Sequence, residues 1–129
     1  MNLLFDTHAL ITQFYGEGGC EVVEELMRNV ESGQSKGFIS TVTIAELQYL
    51  LLRRYGEKEA AIRLHPIMAS DLSIIPVSVP IALSAGSIKK TGISLADAMI
   101  AATALEIDAT VVSGDPHFSE MGVPIQTYH

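Results

Sequence analysis

The chain opens with an apolar run that ends abruptly in an acid, Leu3-Leu4-Phe5-Asp6-Thr7-His8. A short apolar run of this kind indicates a buried strand, and Asp6 lies where that strand would end. In an open parallel α/β sheet, ligands bind just beyond the carboxyl ends of the strands. We therefore expect Asp6 to anchor a functional site at the carboxyl end of a sheet.

Strand and helix patterns alternate along the rest of the sequence, which predicts an α/β fold with a parallel sheet covered on both faces. Pro76 is poorly suited to a central strand, so the third strand is expected at an edge or to end there. The expected strands are Asn2–Phe5, Gly37–Ser40, Ser73–Val77, Thr110–Ser113 and Pro124–Thr127. The expected helices are Thr7–Tyr15, Glu21–Glu31, Thr43–Arg54, Glu57–Ala69, Ile81–Ile88 and Leu95–Glu106, with a turn or short helix over Pro116–Glu120.

Composition favours one globular domain over residues 1–129, because 48% of the residues are hydrophobic and 18% are charged. No apolar run approaches the roughly 18 residues that a membrane helix needs. The N-terminus lacks the basic start of a secretory signal, so we expect a cytoplasmic protein with no membrane partner. The single cysteine, Cys20, excludes an internal disulfide and a thiolate zinc cluster.

The net charge of −7 argues mildly against a nucleic-acid partner, because proteins that bind nucleic acids are usually basic. Four of the 15 acids, however, belong to the site that we propose. A divalent metal bound there would neutralise or reverse the local charge. Net charge therefore does not decide the question.

Glu46, Asp97 and Asp115 resemble Asp6 in position, because each follows a predicted strand end or lies in the first turn of a predicted helix. In a parallel sheet these points share one end, so the four carboxylates would converge. Two like charges ~4 Å apart repel by about 4 kcal/mol at an effective dielectric near 20. Such a cluster should hold protons or a metal, and all-oxygen ligation suits Mg²⁺ or Mn²⁺.

Each acid also has a purely structural explanation as a helix cap. Thr43-Ile44-Ala45-Glu46 has the pattern of a capping box, and Ser94-Leu95-Ala96-Asp97 repeats it with Asp in the Glu position. Asp6 could cap the helix after the first strand. Asp115-Pro116 has the pattern of an N-cap followed by proline. The sequence leaves both explanations open for every acid.

Four segments together resemble a PIN domain, most closely the small single-domain toxins of VapBC-type toxin–antitoxin pairs. They occur in the family's order over nearly the whole chain: residues 4–10 (LFDTHAL), 39–47 (ISTVTIAEL), 95–105 (LADAMIAATAL) and 111–118 (VVSGDPHF). The resemblance implies a three-layer α/β/α sandwich around a mainly parallel sheet of about five strands. It also implies an Mg²⁺- or Mn²⁺-dependent endoribonuclease whose partners are RNA, a cognate antitoxin and a second copy of the chain.

Asp6, Glu46, Asp97 and Asp115 fall on the acidic quartet of that family, and Ser113 falls where the family often has Thr. The quartet is therefore the expected catalytic and metal-binding set. The hydroxyls of Thr7, Thr43 and Ser113 are candidates for hydrogen bonds that orient a ligand. Thr7 and Thr43 serve equally well as cap or turn residues.

Two histidines and two basic spots lie outside the quartet. His8 and His117 could contact RNA or a carboxylate, although ordinary surface packing explains them as well. Four basic residues cluster near one predicted helix end, and two more form a second spot. Each group is either a solvated helix face or a set of phosphate contacts. The residues are Arg53, Arg54, Lys58 and Arg63, then Lys89 and Lys90.

Tyr49, Leu50, Leu51 and Leu52 make the helix after Glu46 apolar on most sides, and we expect Ile44, Leu47, Leu50 and Leu51 to face inward. A helix that is apolar so far round is either deeply buried or half in an interface. The resemblance makes a homodimer the natural interface.

Three other functions were compared with the nuclease. Phosphoryl transfer through Asp6 is disfavoured, because His8 stands where phosphatases of the haloacid dehalogenase type have a second Asp. An RNA-processing PIN nuclease outside a toxin system remains possible, as does an inert RNA- or protein-binding scaffold. Nucleotide binding is unsupported, because neither G-x-x-x-x-G-K-[ST] nor G-x-G-x-x-G occurs in the sequence.

Overall fold

Five parallel strands form the central sheet of the computed structural model, which describes residues 1–15 and 18–128. Their order across the sheet is β3-β2-β1-β4-β5. The sheet confirms the predicted parallel architecture, and β3 lies at an edge, as Pro76 required. The strands are β1 (Asn2–Phe5), β2 (Lys36–Ser40), β3 (Ser73–Ile75), β4 (Thr110–Val112) and β5 (Ile125–Gln126).

Helices cover both faces of the sheet, which confirms the three-layer sandwich. Side chains alternate along β1, so Leu3 and Phe5 pack in one core while Leu4 packs in the other. The helices are α1 (Thr7–Tyr15), α2 (Cys20–Glu31), α3 (Thr41–Tyr55), α4 (Glu57–Met68), α5 (Val79–Ile88) and α6 (Leu95–Glu106), and a 3₁₀ helix spans Pro116–Met121.

The strand order reverses beside β1. From the central β1 the chain moves outward through β2 to β3, and it later returns to the other side of β1 for β4 and β5. The carboxyl ends of β1 and β4 therefore flank the topological switch point of the sheet. In open α/β sheets, the crevice at this point is the usual binding site.

Helix α3 begins two residues earlier than predicted, which makes the proposed Thr43–Glu46 capping box wrong. Ser40 leaves β2 in an extended conformation, with φ −81° and ψ 149°, and its Oγ accepts a hydrogen bond from the N–H of Val42 at 3.1 Å. This cap precedes Thr43, so Thr43 lies inside the first turn and Glu46 lies in the second. Glu46 therefore has no capping role.

The outer side of α3 is more exposed than the sequence predicted. Leu47 and Leu51 are buried, but Leu50 is 41% exposed, so its predicted inward orientation is wrong. Tyr49 and Leu52 are exposed as well. Helix α3 is thus buried on one side and carries unpartnered apolar residues on the other.

Two smaller predictions bear on the limits of the structure. The loop predicted over Gly16–Gly19 falls partly outside the described residues, as does His129. No helix in residues 1–15 and 18–128 has both the length and the apolar character to cross a membrane.

Candidate active site

Strand register sets the position of Asp6. Phe5 is the partner of Val112 across β1 and β4, and the N–H of Asp6 donates to the carbonyl of Val112 at 3.1 Å. Asp6 and Ser113 are therefore the first residues beyond the paired ends of two neighbouring strands. Asp115 follows two residues later, so three candidate residues meet at the switch point.

The Asp6 carboxylate is fixed by two hydrogen bonds and is 3% exposed. Its Oδ1 accepts from the N–H of Ala9 at 2.7 Å, which confirms the predicted cap of α1, and the Ser113 hydroxyl donates to the same carboxylate. Burial raises the pKa of Asp6 to about 6, against the lowering effects of these hydrogen bonds and of His8. A cap is normally stabilised as an anion, so the burial of Asp6 exceeds what capping requires.

Ser113 links two of the acids. It is fully buried, and its Oγ accepts from the N–H of Asp115 at 2.9 Å while its hydroxyl bonds to Asp6. The serine thus orders the turn after β4 and orients the carboxylate after β1. The proposed orienting role of this hydroxyl has a structural basis in both contacts.

Glu46 is held at the same end of the sheet by Thr7. The Thr7 hydroxyl donates to Glu46 Oε1 at 2.5 Å, a short bond typical of a hydroxyl and a carboxylate. This contact joins the start of α1 to the second turn of α3. One turn before Glu46, the buried Oγ1 of Thr43 has no hydrogen-bond partner among the described residues, although buried hydroxyls are usually paired.

Asp97 approaches from α6. This helix precedes β4 and runs opposite to the strands, so its first turn lies at their carboxyl ends. The Oγ of Ser94 accepts from the N–H of Asp97 at 3.0 Å, which confirms the predicted N-cap. Burial raises the pKa of Asp97, and the charge of Asp115 raises it further, whereas the Ser94 hydroxyl, His8 and His117 lower it.

Asp115 caps the 3₁₀ helix that begins at Pro116, as the Asp–Pro pattern predicted. Its Oδ1 accepts from the N–H of His117 at 2.9 Å. The Nδ1 of His117 lies 3.5 Å from the same oxygen, so a protonated imidazole would form an exposed ion pair there.

The model of the PIN domain family matches residues 3–124. The chain belongs to the PIN domain family. No curated protein sequence matches it.

Solved structures with the PIN fold align over almost the whole chain. VapBC2 of Rickettsia felis, bound to a promoter DNA fragment, aligns with TM-score 0.80 and 20% identity over 100% of both chains. DNA-bound VapBC of Salmonella typhimurium aligns with TM-score 0.79 and 20% identity over 100% of this chain and 99% of that one. Mycobacterium tuberculosis VapC20, titled a sarcin–ricin loop cleaving toxin, gives 0.73 and 16% over 94% and 95%.

The PIN fold of this chain brings three of the four predicted acids into mutual electrostatic contact. The charge of Asp97 raises the pKa of Asp6, and the charge of Asp115 raises that of Asp97. Glu46 is connected to Asp6 by Thr7, the next residue along the chain. Sequence analysis treated Ser94 only as a cap, whereas its hydroxyl also bonds to the Asp97 carboxylate.

The donor chemistry of the site fits a hard divalent cation. All four candidate groups are carboxylates, and the burial and crowding that raise the pKa of Asp6 would be relieved by positive charge. In the part of the chain that the structure describes, no three His, Cys, Asp or Glu side chains are close enough to hold an ion directly. Mg²⁺ usually keeps several waters and needs only one or two carboxylates, so this spacing suits water-mediated ligation.

Proposed function

We propose that this PIN domain is an Mg²⁺- or Mn²⁺-dependent endoribonuclease, the toxin of a type II, VapBC-like toxin–antitoxin pair. The observation that carries the proposal is the coupled group of Asp6, Asp97 and Asp115 at the switch point of the sheet. Three helix caps have no physical reason to repel one another at one place. A cation site gives that arrangement a reason.

The proposed metal ligands are Asp6, Glu46, Asp97 and Asp115. A metal held by them would supply a water of lowered pKa and positive charge for the scissile phosphate. The remaining work falls to the chain itself, which must hold the carboxylates rigidly and keep them from collapsing onto other donors.

Two hydroxyls do this holding. Ser113 and the N–H of Ala9 together fix the Asp6 carboxylate from two directions, which makes Asp6 the central group of the site. Thr7 fixes one oxygen of Glu46 and leaves the other available. Hydrogen bonds that orient ligands in this way commonly account for 10- to 100-fold in metal affinity or activity.

RNA is the proposed substrate, and an antitoxin and a second copy of the chain are the proposed partners. RNA is supported by the VapC20 title, and the antitoxin by the VapBC complexes of the same fold. The exposed side of α3 that carries Tyr49 and Leu52 is the proposed dimer surface.

The proposal is tested by incubating purified protein with matched RNA and DNA oligonucleotides of one sequence, with Mn²⁺, with Mg²⁺ and with chelator. Cleavage of RNA alone, lost in chelator, is expected. Calorimetric titration of Mn²⁺ into wild type and Asp6→Asn should show heat only for wild type. Absence of both cleavage and metal binding would instead favour an inert scaffold on the PIN fold.

A toxin is distinguished from an RNA-processing nuclease outside a toxin system by its gene neighbourhood and by growth. A neighbouring reading frame for a small DNA-binding protein, whose co-expression relieves growth arrest, is expected for the toxin. Cleavage in vitro without growth arrest would favour the processing nuclease.

A further inference from the structure

A cavity of about 390 Å³ lies between α1, α3 and α4, outside the carboxylate cluster. Its walls are largely aliphatic and aromatic, and they include Leu10, Phe14, Leu50 and Leu51. Phe14 and Leu50 are each about two-fifths exposed at its mouth, with values of 42% and 41%. A cavity of this size and lining is typical of a binding site rather than of a packing defect.

The cavity lies in a groove with a different chemistry at each end. Helices α1 and α3 leave the sheet together, and Thr7 contacts Glu46 where both begin. Near their far ends, the rings of Tyr15 and Tyr55 stack with centroids 6.3 Å apart. Arg54 lies eight residues beyond Glu46, about 12 Å along the helix axis. The groove therefore runs from the acidic site to an aromatic end.

Arginines surround the aromatic end. The Arg63 guanidinium lies 4.0 Å from the Tyr55 ring centroid, and the Arg54 guanidinium lies 5.5 Å from both ring centroids. This arrangement corrects the alternative of a merely solvated helix face for these residues, because stacking on the rings holds their charges at the groove.

Two of the three arginines that line the cavity have no carboxylate partner. Arg63 pairs with Glu59 at 3.0 Å, and Arg53 donates to the hydroxyl of Tyr49 at 3.1 Å. Within residues 1–15 and 18–128, neither Arg53 nor Arg54 has a salt bridge. A chain of net charge −7 thus gathers unpaired positive charge beside an apolar groove.

We propose that this groove binds a segment of a partner protein that inserts an aliphatic or aromatic side chain into the cavity and sets a carboxylate against Arg53 and Arg54. The inference rests on the proposed function only for the antitoxin as the source of the segment. A protein segment fits better than RNA, because nucleic-acid interfaces are more polar and more uniformly basic than this lining.

Two dyes with the same aromatic frame test the site without RNA or metal. Anilinonaphthalene sulfonate carries an anion, whereas phenylnaphthylamine lacks it. The double variant Arg53→Gln/Arg54→Gln should weaken the sulfonate dye on the order of tenfold while changing the neutral dye by less than about twofold. Phe14→Ala should weaken both dyes. Arg28→Gln, which removes an exposed arginine of α2, is the matched control and should weaken neither.

A peptide arm identifies the occupant. A helical peptide with leucines spaced one turn apart and a terminal Glu should displace the sulfonate dye, and the same peptide with Gln should displace it on the order of tenfold less well. Equal displacement by both peptides, equal binding of both dyes, or displacement only by single-stranded RNA would overturn the proposal. None of these outcomes bears on cleavage, so this inference and the ribonuclease proposal can fail separately.

Discussion

Replacing Asp6 by Asn should stabilise the metal-free protein at neutral pH. Burial lifts the pKa of Asp6 from 3.8 to about 6, so the folded state holds this proton more tightly than the unfolded chain. Stability is then complete below the unfolded pKa and is lost as the pH rises through the folded pKa. The full difference, about 2.2 units at 1.36 kcal/mol per unit, is about 3 kcal/mol.

Asn is a close substitute in this position, because its side-chain oxygen can still accept from the N–H of Ala9 at the start of α1. The variant keeps the cap and removes the charge. Its unfolding free energy should therefore exceed that of wild type at pH 7, by an amount that shrinks by about 2 kcal/mol when the pH falls to 4.

Urea unfolding in chelator, followed by circular dichroism between pH 4 and pH 7, measures this gap. Asp71→Asn, which removes an exposed acid outside the quartet, is the control for loss of one negative charge. A gap of constant size at every pH, with Asp6→Asn the less stable protein, would refute the reasoning and leave Asp6 as an ordinary cap. Added Mn²⁺ should narrow the gap, because it stabilises only the protein that binds it.

The remaining predictions concern three other contacts. Asp97→Asn should abolish cleavage yet leave the melting temperature of the metal-free protein equal or higher, because a repulsion with Asp115 is removed; a clear fall would instead support the capping role. Thr7→Val should lower the cleavage rate on the order of tenfold by freeing Glu46, and Thr7→Ser should restore it; equal rates for all three would exclude an orienting role. Leu52→Glu should convert a dimer to a monomer in sedimentation velocity, and a wild-type monomer would count against the dimer surface.

The sequence determined the sheet because its signals are local and strong. The short apolar run of β1 ends in Asp6, and the pattern of α6 begins at Ser94 and ends at Glu106, as the structure has it. Asp115 followed by Pro116 fixed a cap and a first turn together. Each of these depends on residues that are neighbours in sequence.

The errors arose where two local signals competed or where distant residues met. Ser40 and Thr43 are both good cap residues, and only the path of the chain out of β2 decides for Ser40. The stacking of Tyr15 on Tyr55 depends on how α1 packs against α3, which no local pattern encodes. The same packing leaves Leu50 at the mouth of a cavity instead of in the core.

Convergence of the acids could be predicted only in outline. A parallel sheet brings Asp6 and Asp115 to one end, and the register of β1 and β4 then sets them beside Ser113. The bond from Thr7 to Glu46 could not be predicted, because it depends on the rotation of α3 about its axis.

The most direct test of the central claim is cleavage of a mixed RNA pool by wild type beside Asp97→Asn, with Mn²⁺ or Mg²⁺ and with chelator. The account predicts discrete, metal-dependent cuts made by wild type alone, and their mapped positions would define the target. Cuts of equal extent by both proteins, or no cuts together with no metal binding by calorimetry, would contradict it.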